Sequence, residues 1–232
     1  MKKILSMLLV LCMALTLCSA AFAEGKSPVD GMTVAFIPKV SGNSFFEAAN
    51  DGAQKYAADW GLTVDYIGAP TADVTTQLEL IQQAIDKGVD AICISSVDAT
   101  GLDEKLQEAQ DAGIFVSTWD SDVSPDARAL MISQGTADVL GPMLVDMAVD
   151  SLTERGVDVN GEVKYVWHFS NPSVSDQNSW YVAGDAYIKE KYPTWVAVND
   201  PYYSNQDPAQ SVSVGESILD AYPDIDVIIC ND

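Results

Sequence analysis

The feature that most constrains this chain is a rhythm. Brief apolar runs rich in Val, Ile, Phe and Thr alternate with longer stretches whose apolar residues recur at helical spacing. Residues 33–38, 62–67, 91–95 and 114–118 have the length and composition of buried strands. Between them, Phe45, Phe46, Ala49, Ala53, Tyr56 and Trp60 mark one helical face, Leu78, Ile81 and Ile85 a second, and Leu102, Leu106 and Ala109 a third. Ser44-x-x-Glu47 and Thr76-x-x-Glu79 fit the capping box that opens a helix. Gly61, Gly88 and Gly113 stand where left-handed residues close one. Strands alternating with helices of this length give right-handed crossovers, hence an α/β fold with parallel sheets and helices on both faces.

A long helix is expected from Thr136 or Asp138 to about Thr153, and a polar turn follows over 154–160. The rhythm then restarts, with strands at 163–169, 195–199 and 226–230 and helices at 176–191 and 207–221. Asp207-Pro208 opens the last helix, the acid capping and the proline occupying the first helical position. Two units of similar design imply two lobes, at 24–155 and 156–232, the second incomplete because no covering element follows its last strand. One large doubly wound sheet is the alternative arrangement.

The N-terminus addresses the compartment. Lys2 and Lys3, an apolar run over 4–17 and a small-residue stretch ending at Ala23 have the order of a cleaved signal peptide, residues 1–23. The run is short for a membrane span, and the bulky Leu17 before Cys18 disfavours a lipid anchor. The implied location is periplasmic or extracellular. A formal net charge of −22 argues against nucleic acid and anionic membrane as partners. Cys93 and Cys230, inside apolar runs, read as inert core thiols rather than a disulfide or a metal pair.

Parallel sheets bind ligands beyond the carboxyl ends of their strands. Those tips here carry Lys39, Ser95 to Asp98, Trp119 to Asp122, Ser170 to Gln177, Pro201 to Gln206 and Asn231-Asp232, with Phe45, Phe46 and Trp119 near them in sequence. Hydrogen-bonding groups around aromatic faces suit a neutral, oxygen-rich solute, because each hydroxyl both donates and accepts. Enzymatic motifs are missing from these positions: no G-x-G-x-x-G follows the first strand, and neither a P-loop nor Gly-x-Ser-x-Gly occurs. The single histidine, His168, lies mid-strand and offers no metal site or base. Asp120, Asp122 and Asp126 fail as a calcium loop because Met131 stands where a bidentate glutamate is needed. No cofactor and no metal are expected.

At these tips the chain resembles the type I periplasmic sugar-binding proteins, and within them the autoinducer 2-binding branch that serves ABC importers. The stretches that carry the resemblance are Phe36 to Lys39, Thr118 to Asp122, Gln134 to Thr136, Gly141 to Ala148 and Asn171 to Trp180. The resemblance implies a two-lobed binding protein with no catalytic activity. Its ligand would be autoinducer 2 or a similar polyhydroxylated molecule, held by Lys39, Asp120, Asp176 and Gln177. Family members also use backbone from a Pro-Asp-Ala stretch after the last strand. Asn231 occupies the proline position here, and is expected to contact the ligand in its place. Related members bind rhamnose or pentoses, so a general sugar-binding protein is the companion reading. An ABC permease is the implied partner, a chemosensory receptor a compatible one, and a monomer the expected state. Two other readings compete: the effector half of a transcription regulator, which shares the architecture but would need an N-terminal helix-turn-helix, and an extracellular glycosidase working through Asp120 and Asp176.

Overall fold

Along β1 (Thr33–Ile37) the side chains split by parity: Ala35 and Ile37 enter one core, while Phe36 enters another on the opposite face. β3 (Ala91–Ile94) repeats this, with Ile92 and Ile94 on the first face and Cys93 against the second. That two-residue period, apolar on both sides, is what a strand buried between two helical layers requires. In a computed structural model, which describes residues 27–231, these strands join β2 (Thr63–Tyr66), β4 (Phe115–Trp119) and β5 (Leu130–Ile132). The sheet order is β2-β1-β3-β4-β5, with every pairing parallel. The expected signal peptide lies outside the described residues.

Helices α1 (Ser44–Trp60), α2 (Val74–Lys87) and α3 (Asp103–Asp111) connect these strands. α2 and α3 cover the face of Ile92 and Ile94, and α1 covers the face of Phe36 through Phe46. The helix starts differ from the expected capping boxes by one and three residues. Asn43, not Ser44, caps α1 by accepting from Phe45 N at 2.9 Å, and Glu47 accepts from Gly42 N at 2.8 Å. Asp73 caps α2, accepting from Thr76 N at 2.8 Å. Asn and Asp cap helices as well as or better than Ser and Thr, so in each case the upstream residue takes the cap and the helix starts earlier. Gly61 and Gly88 close α1 and α2 in the left-handed conformation, as expected.

A second parallel sheet is centred on β6 (Lys164–Phe169), which pairs with β7 (Val196–Ala197), β8 (Tyr202–Tyr203) and β9 (Val227–Cys230). Asp207 caps α6 (Pro208–Ala221), accepting from Ala209 N and Gln210 N. Cys93 is half-buried against the Phe36 core, and Cys230 is the last residue of β9.

The division expected at residue 155 is corrected by packing. α4 (Ala137–Glu154) was placed with the first lobe, yet Val145, Ala148 and Leu152 share a core with Tyr165, Trp167 and Ile229 of the second sheet. Its closest neighbour is α5 (Ser175–Lys191), reached where Gly141 faces Gly184. A Cβ on Gly141 would stand 2.6 Å from Gly184 N and from Trp180 O, so only glycine permits this approach. The passage between the two sheets is therefore the segment 133–136, ahead of α4 rather than after it.

Candidate ligand site

Because the strands among the described residues all run parallel to their neighbours, each sheet gathers its carboxyl ends on one edge. The two edges face one another. Lys39 leaves β1, Asp120 leaves β4, Asp176 and Gln177 open α5, and Asn231 follows β9; all five line one cavity of about 360 Å³. All are buried, Lys39 3% and Asp120 6% exposed.

Several groups hold Lys39 in place. Gln77 of α2, itself buried, donates to Pro38 O at 3.0 Å and Ser95 O at 2.8 Å, and accepts from Val97 N at 3.0 Å. One amide thus ties the exits of β1 and β3 together. The Lys39 ammonium lies 2.9 Å from Asp120 Oδ2 and 3.3 Å from Asp176 Oδ1, a cation shared by carboxylates from the two sheets. Asp120 adopts φ 60°, the left-handed region that aspartate tolerates better than most residues, and its N–H donates to Ile132 O at 3.0 Å. Ser95 Oγ donates to Asp120 Oδ2 at 2.6 Å, and Gln134 Nε2 donates to Oδ1. Ser121 Oγ donates to Asp176 Oδ1. Gln177 Oε1 accepts from Ser170 N at 2.9 Å, and Asn231 Nδ2 donates to the Gln177 carbonyl at 2.8 Å.

Burial pushes the Asp120 carboxyl above the ordinary carboxylate range; Lys39 opposes that shift and Asp176 adds to it. Asp122, two residues on, behaves oppositely. Burial would raise it, but Arg128, paired through Nε at 2.9 Å and Nη2 at 2.7 Å, and Thr118 hold it below the usual range. Asp122 supports the fold at the seam, where its N–H donates to Ser175 Oγ at 2.9 Å and its carbonyl accepts from the same hydroxyl at 3.0 Å.

The aromatic walls differ from the expectation in one residue. Phe45 and Phe46 line the cavity, but Trp119 stands behind them, stacked on Phe36 at 4.7 Å and edge-on to Phe46 at 5.7 Å. The facing aromatic is Trp180 on α5. Gln206, from the expected tip stretch 201–206, also lines the cavity, as do Asn43, Ser44 and Gln134, which the strand-tip rule does not reach. Asn43 and Gln206 sit in loops whose spacing carries no periodic signal. Among the described residues no cluster of His, Cys, Asp and Glu could hold a metal ion.

A family model described as periplasmic binding protein domain matches residues 34–232. Among solved structures, the chain is similar to LsrB from Clostridium saccharobutylicum in complex with AI-2, with a TM-score of 0.85 and 57% identity over 87% of this chain and 62% of that one. It is also similar to an ABC transporter solute-binding protein from Clostridium phytofermentas with bound L-rhamnose, with a TM-score of 0.77 and 25% identity over 85% of this chain and 59% of that one. Among curated proteins, the D-ribose/D-allose-binding protein of Pseudomonas aeruginosa is 28% identical over 132 residues, 54% of this chain and 41% of the relative. The chain thus spans less than two thirds of the length of each of these relatives.

Proposed function

The chain belongs to the periplasmic binding protein family, and from that premise we propose that it is the extracytoplasmic solute-binding component of an ABC importer. Its ligand in this reading is a small, uncharged, polyhydroxylated molecule, autoinducer 2 or a sugar of similar size. The observation that carries the reading is the Lys39 ammonium shared between Asp120 and Asp176 at the wall of one cavity.

The chemistry of that wall selects the ligand class. One cation and two carboxylates leave the site net negative, which repels phosphorylated or acidic sugars. Lys39 donates, the carboxylate lone pairs left over by Ser95, Ser121 and Gln134 accept, and the amides of Gln177 and Asn231 extend the set. A hydroxyl-rich ring satisfies both kinds of group, and Phe45, Phe46 and Trp180 offer faces for its C–H surface. Hydrogen bonds to charged groups contribute about 1.5–3 kcal/mol each. A handful of them, less the costs of ordering, supports micromolar affinity, about −8 kcal/mol.

Two lobes close on the ligand in this reading, the first ending near residue 132 and the second beginning at α4, with 133–136 as one hinge segment. Contacts from both sides favour the closed form. The ligand leaves unchanged, delivered to a permease by a monomer; docking on a chemosensory receptor is compatible with the same site. Autoinducer 2 is the first choice because the relative at 57% identity is a complex with AI-2.

Isothermal titration of the full-length secreted protein with autoinducer 2, D-ribose and L-rhamnose tests the reading. Autoinducer 2 binding at micromolar or better, with ligand recovered intact, supports it. Binding of a sugar without autoinducer 2 selects general sugar uptake, and binding of none of the three overturns it.

A further inference from the structure

Gln134 stands on neither sheet and on no helix, in the segment that passes from β5 to α4, yet it lines the cavity and its amide reaches back to Asp120. Asp120 is tied both to the end of β5 and to the segment that follows it. Its main-chain N–H donates to Ile132 O at 3.0 Å, and its side-chain Oδ1 accepts from Gln134, two residues further on. The other carboxylate oxygen, Oδ2, is held by Ser95 at 2.6 Å and by Lys39 at 2.9 Å. At φ 60° Asp120 turns out of β4 just after its last paired residue, so the main-chain bond to β5 fixes its backbone and the three side-chain bonds set where its carboxylate points. Remove the Gln134 donor and Oδ1 loses its only protein partner within hydrogen-bond distance among those described.

We propose that Gln134 is a positioning residue for ligand recognition, holding the Asp120 carboxylate charged and aimed into the cavity from the segment that links the two sheets. This rests on the ligand reading above. The charged groups that face Asp120 are Lys39 at the exit of β1 and Asp176 at the start of α5; Ser95, at the exit of β3, is neutral. Among these neighbours, Gln134 is the polar one delivered by the linking segment. An N–H donated to a carboxylate favours its charged form. Losing that bond therefore moves Asp120 toward protonation at a given pH, and a protonated Asp120 binds a ligand hydroxyl less strongly.

The test uses Gln134→Leu, which keeps the volume and deletes the donor, and Gln134→Glu, which offers a carboxyl in its place. Both are made in the full-length protein and titrated with autoinducer 2, D-ribose and L-rhamnose across pH 4–8. With whichever of these the unaltered protein binds, Gln134→Leu is expected to weaken affinity about tenfold at neutral pH and to move the acid loss of binding to higher pH. Gln134→Glu is expected to move it further, because two carboxylates side by side must share a proton. In an Asp120→Asn background, Gln134→Leu is expected to change affinity less than twofold. Thermal unfolding of each variant checks that the fold is kept; an unfolded Gln134→Leu hands the decision to Gln134→Glu. A weaker affinity with an unmoved acid limb, or an unchanged affinity, overturns the inference and leaves the ligand reading intact. Failure of the unaltered protein to bind any of the three overturns that reading, and the inference with it.

Discussion

Lys39 and Asp176 are 137 positions apart in the chain, yet the ammonium of one lies 3.3 Å from the carboxylate of the other, both buried where the edges of two sheets meet. Asp120 takes the other side of the same ammonium at 2.9 Å. A charge buried in this way persists only when it is paired and hydrogen-bonded. The triad is therefore both a structural commitment and the group that meets a solute.

Replacing Lys39 by Met leaves two buried carboxylates facing each other without their cation. Ligand affinity is expected to fall about tenfold to a hundredfold, the worth of one hydrogen bond from a charged donor at about 1.5–3 kcal/mol. The free protein also loses stability, by about 3–5 kcal/mol if both carboxylates stay charged. Calorimetric titration and urea unfolding read the two effects separately. An unchanged dissociation constant would remove Lys39 from the site.

Asp120→Asn separates function from stability. The folded-state carboxyl lies above the ordinary 3.8, so the native state binds a proton that the unfolded chain has already lost between that value and the raised one. Stability then falls as pH rises through the window, and at neutral pH the charged Asp120 is a net cost to the fold. Asn removes the cost while Asp176 still pairs Lys39. The midpoint of thermal unfolding at pH 7 is expected to rise, its advantage shrinking as the pH drops below the ordinary carboxylate value, while ligand affinity falls about tenfold. A variant less stable than its parent at pH 7 would contradict the sign.

Gln77→Leu strikes the support beneath Lys39. Three buried main-chain groups, Pro38 O, Ser95 O and Val97 N, lose their partner together. A loss of about 2–4 kcal/mol is expected by chemical denaturation, because an unsatisfied buried group costs more than a hydrogen bond gains. Affinity is expected to weaken as well, since the exits of β1 and β3 carry Lys39 and Ser95. An isosteric change that leaves both stability and binding intact would show that the tips are held by other means.

What could be read from the sequence divides along physical lines. Long periodic elements were legible: α1, α2, α5 and the strands β1, β3, β4 and β6 lie within a few residues of expectation, because burial on two faces imprints period 2 or 3.6 over many positions. β5 and β8, three and two residues long, are too brief to imprint any period. The side on which α4 packs was not legible either. Its apolar residues specify that it has a buried face, and only the Gly141–Gly184 approach specifies which sheet supplies the cover. Around the cavity, counting strand exits brackets Lys39, Asp120, Asp176, Gln177, Gln206 and Asn231 within the tip stretches, and the family resemblance narrows those stretches to Lys39, Asp120, Asp176, Gln177 and Asn231. Gln134 comes from a segment between β5 and α4 with no register to count. Trp119 was misjudged as a wall because nearness in sequence to a strand tip does not fix which way a side chain turns; it packs on Phe36 instead.

The glycine pair between α4 and α5 yields a prediction whose sign runs against helix propensity. Alanine normally stabilises a helix interior relative to glycine by about 0.5–1 kcal/mol. Gly215, inside α6 with nothing within 4 Å of an added Cβ, is expected to follow that rule, and Gly215→Ala should gain stability. Gly184→Ala should lose it, because the new methyl would stand 2.7 Å from Cη2 of the buried Trp167 ring and 2.9 Å from Gly141 O, main chain that yields only if α4 moves. Overpacking of this kind costs about 1–3 kcal/mol. Since α5 carries Asp176 and Gln177 at its start, a helix pushed away from α4 also displaces these two cavity-lining groups. Gly184→Ala is therefore expected to bind ligand more weakly as well as to unfold earlier, whereas Gly215→Ala leaves affinity unchanged. Denaturant titrations and calorimetry on the two variants side by side decide it. Equal, stabilising effects would mean that α4 and α5 are not held at the separation the glycines allow.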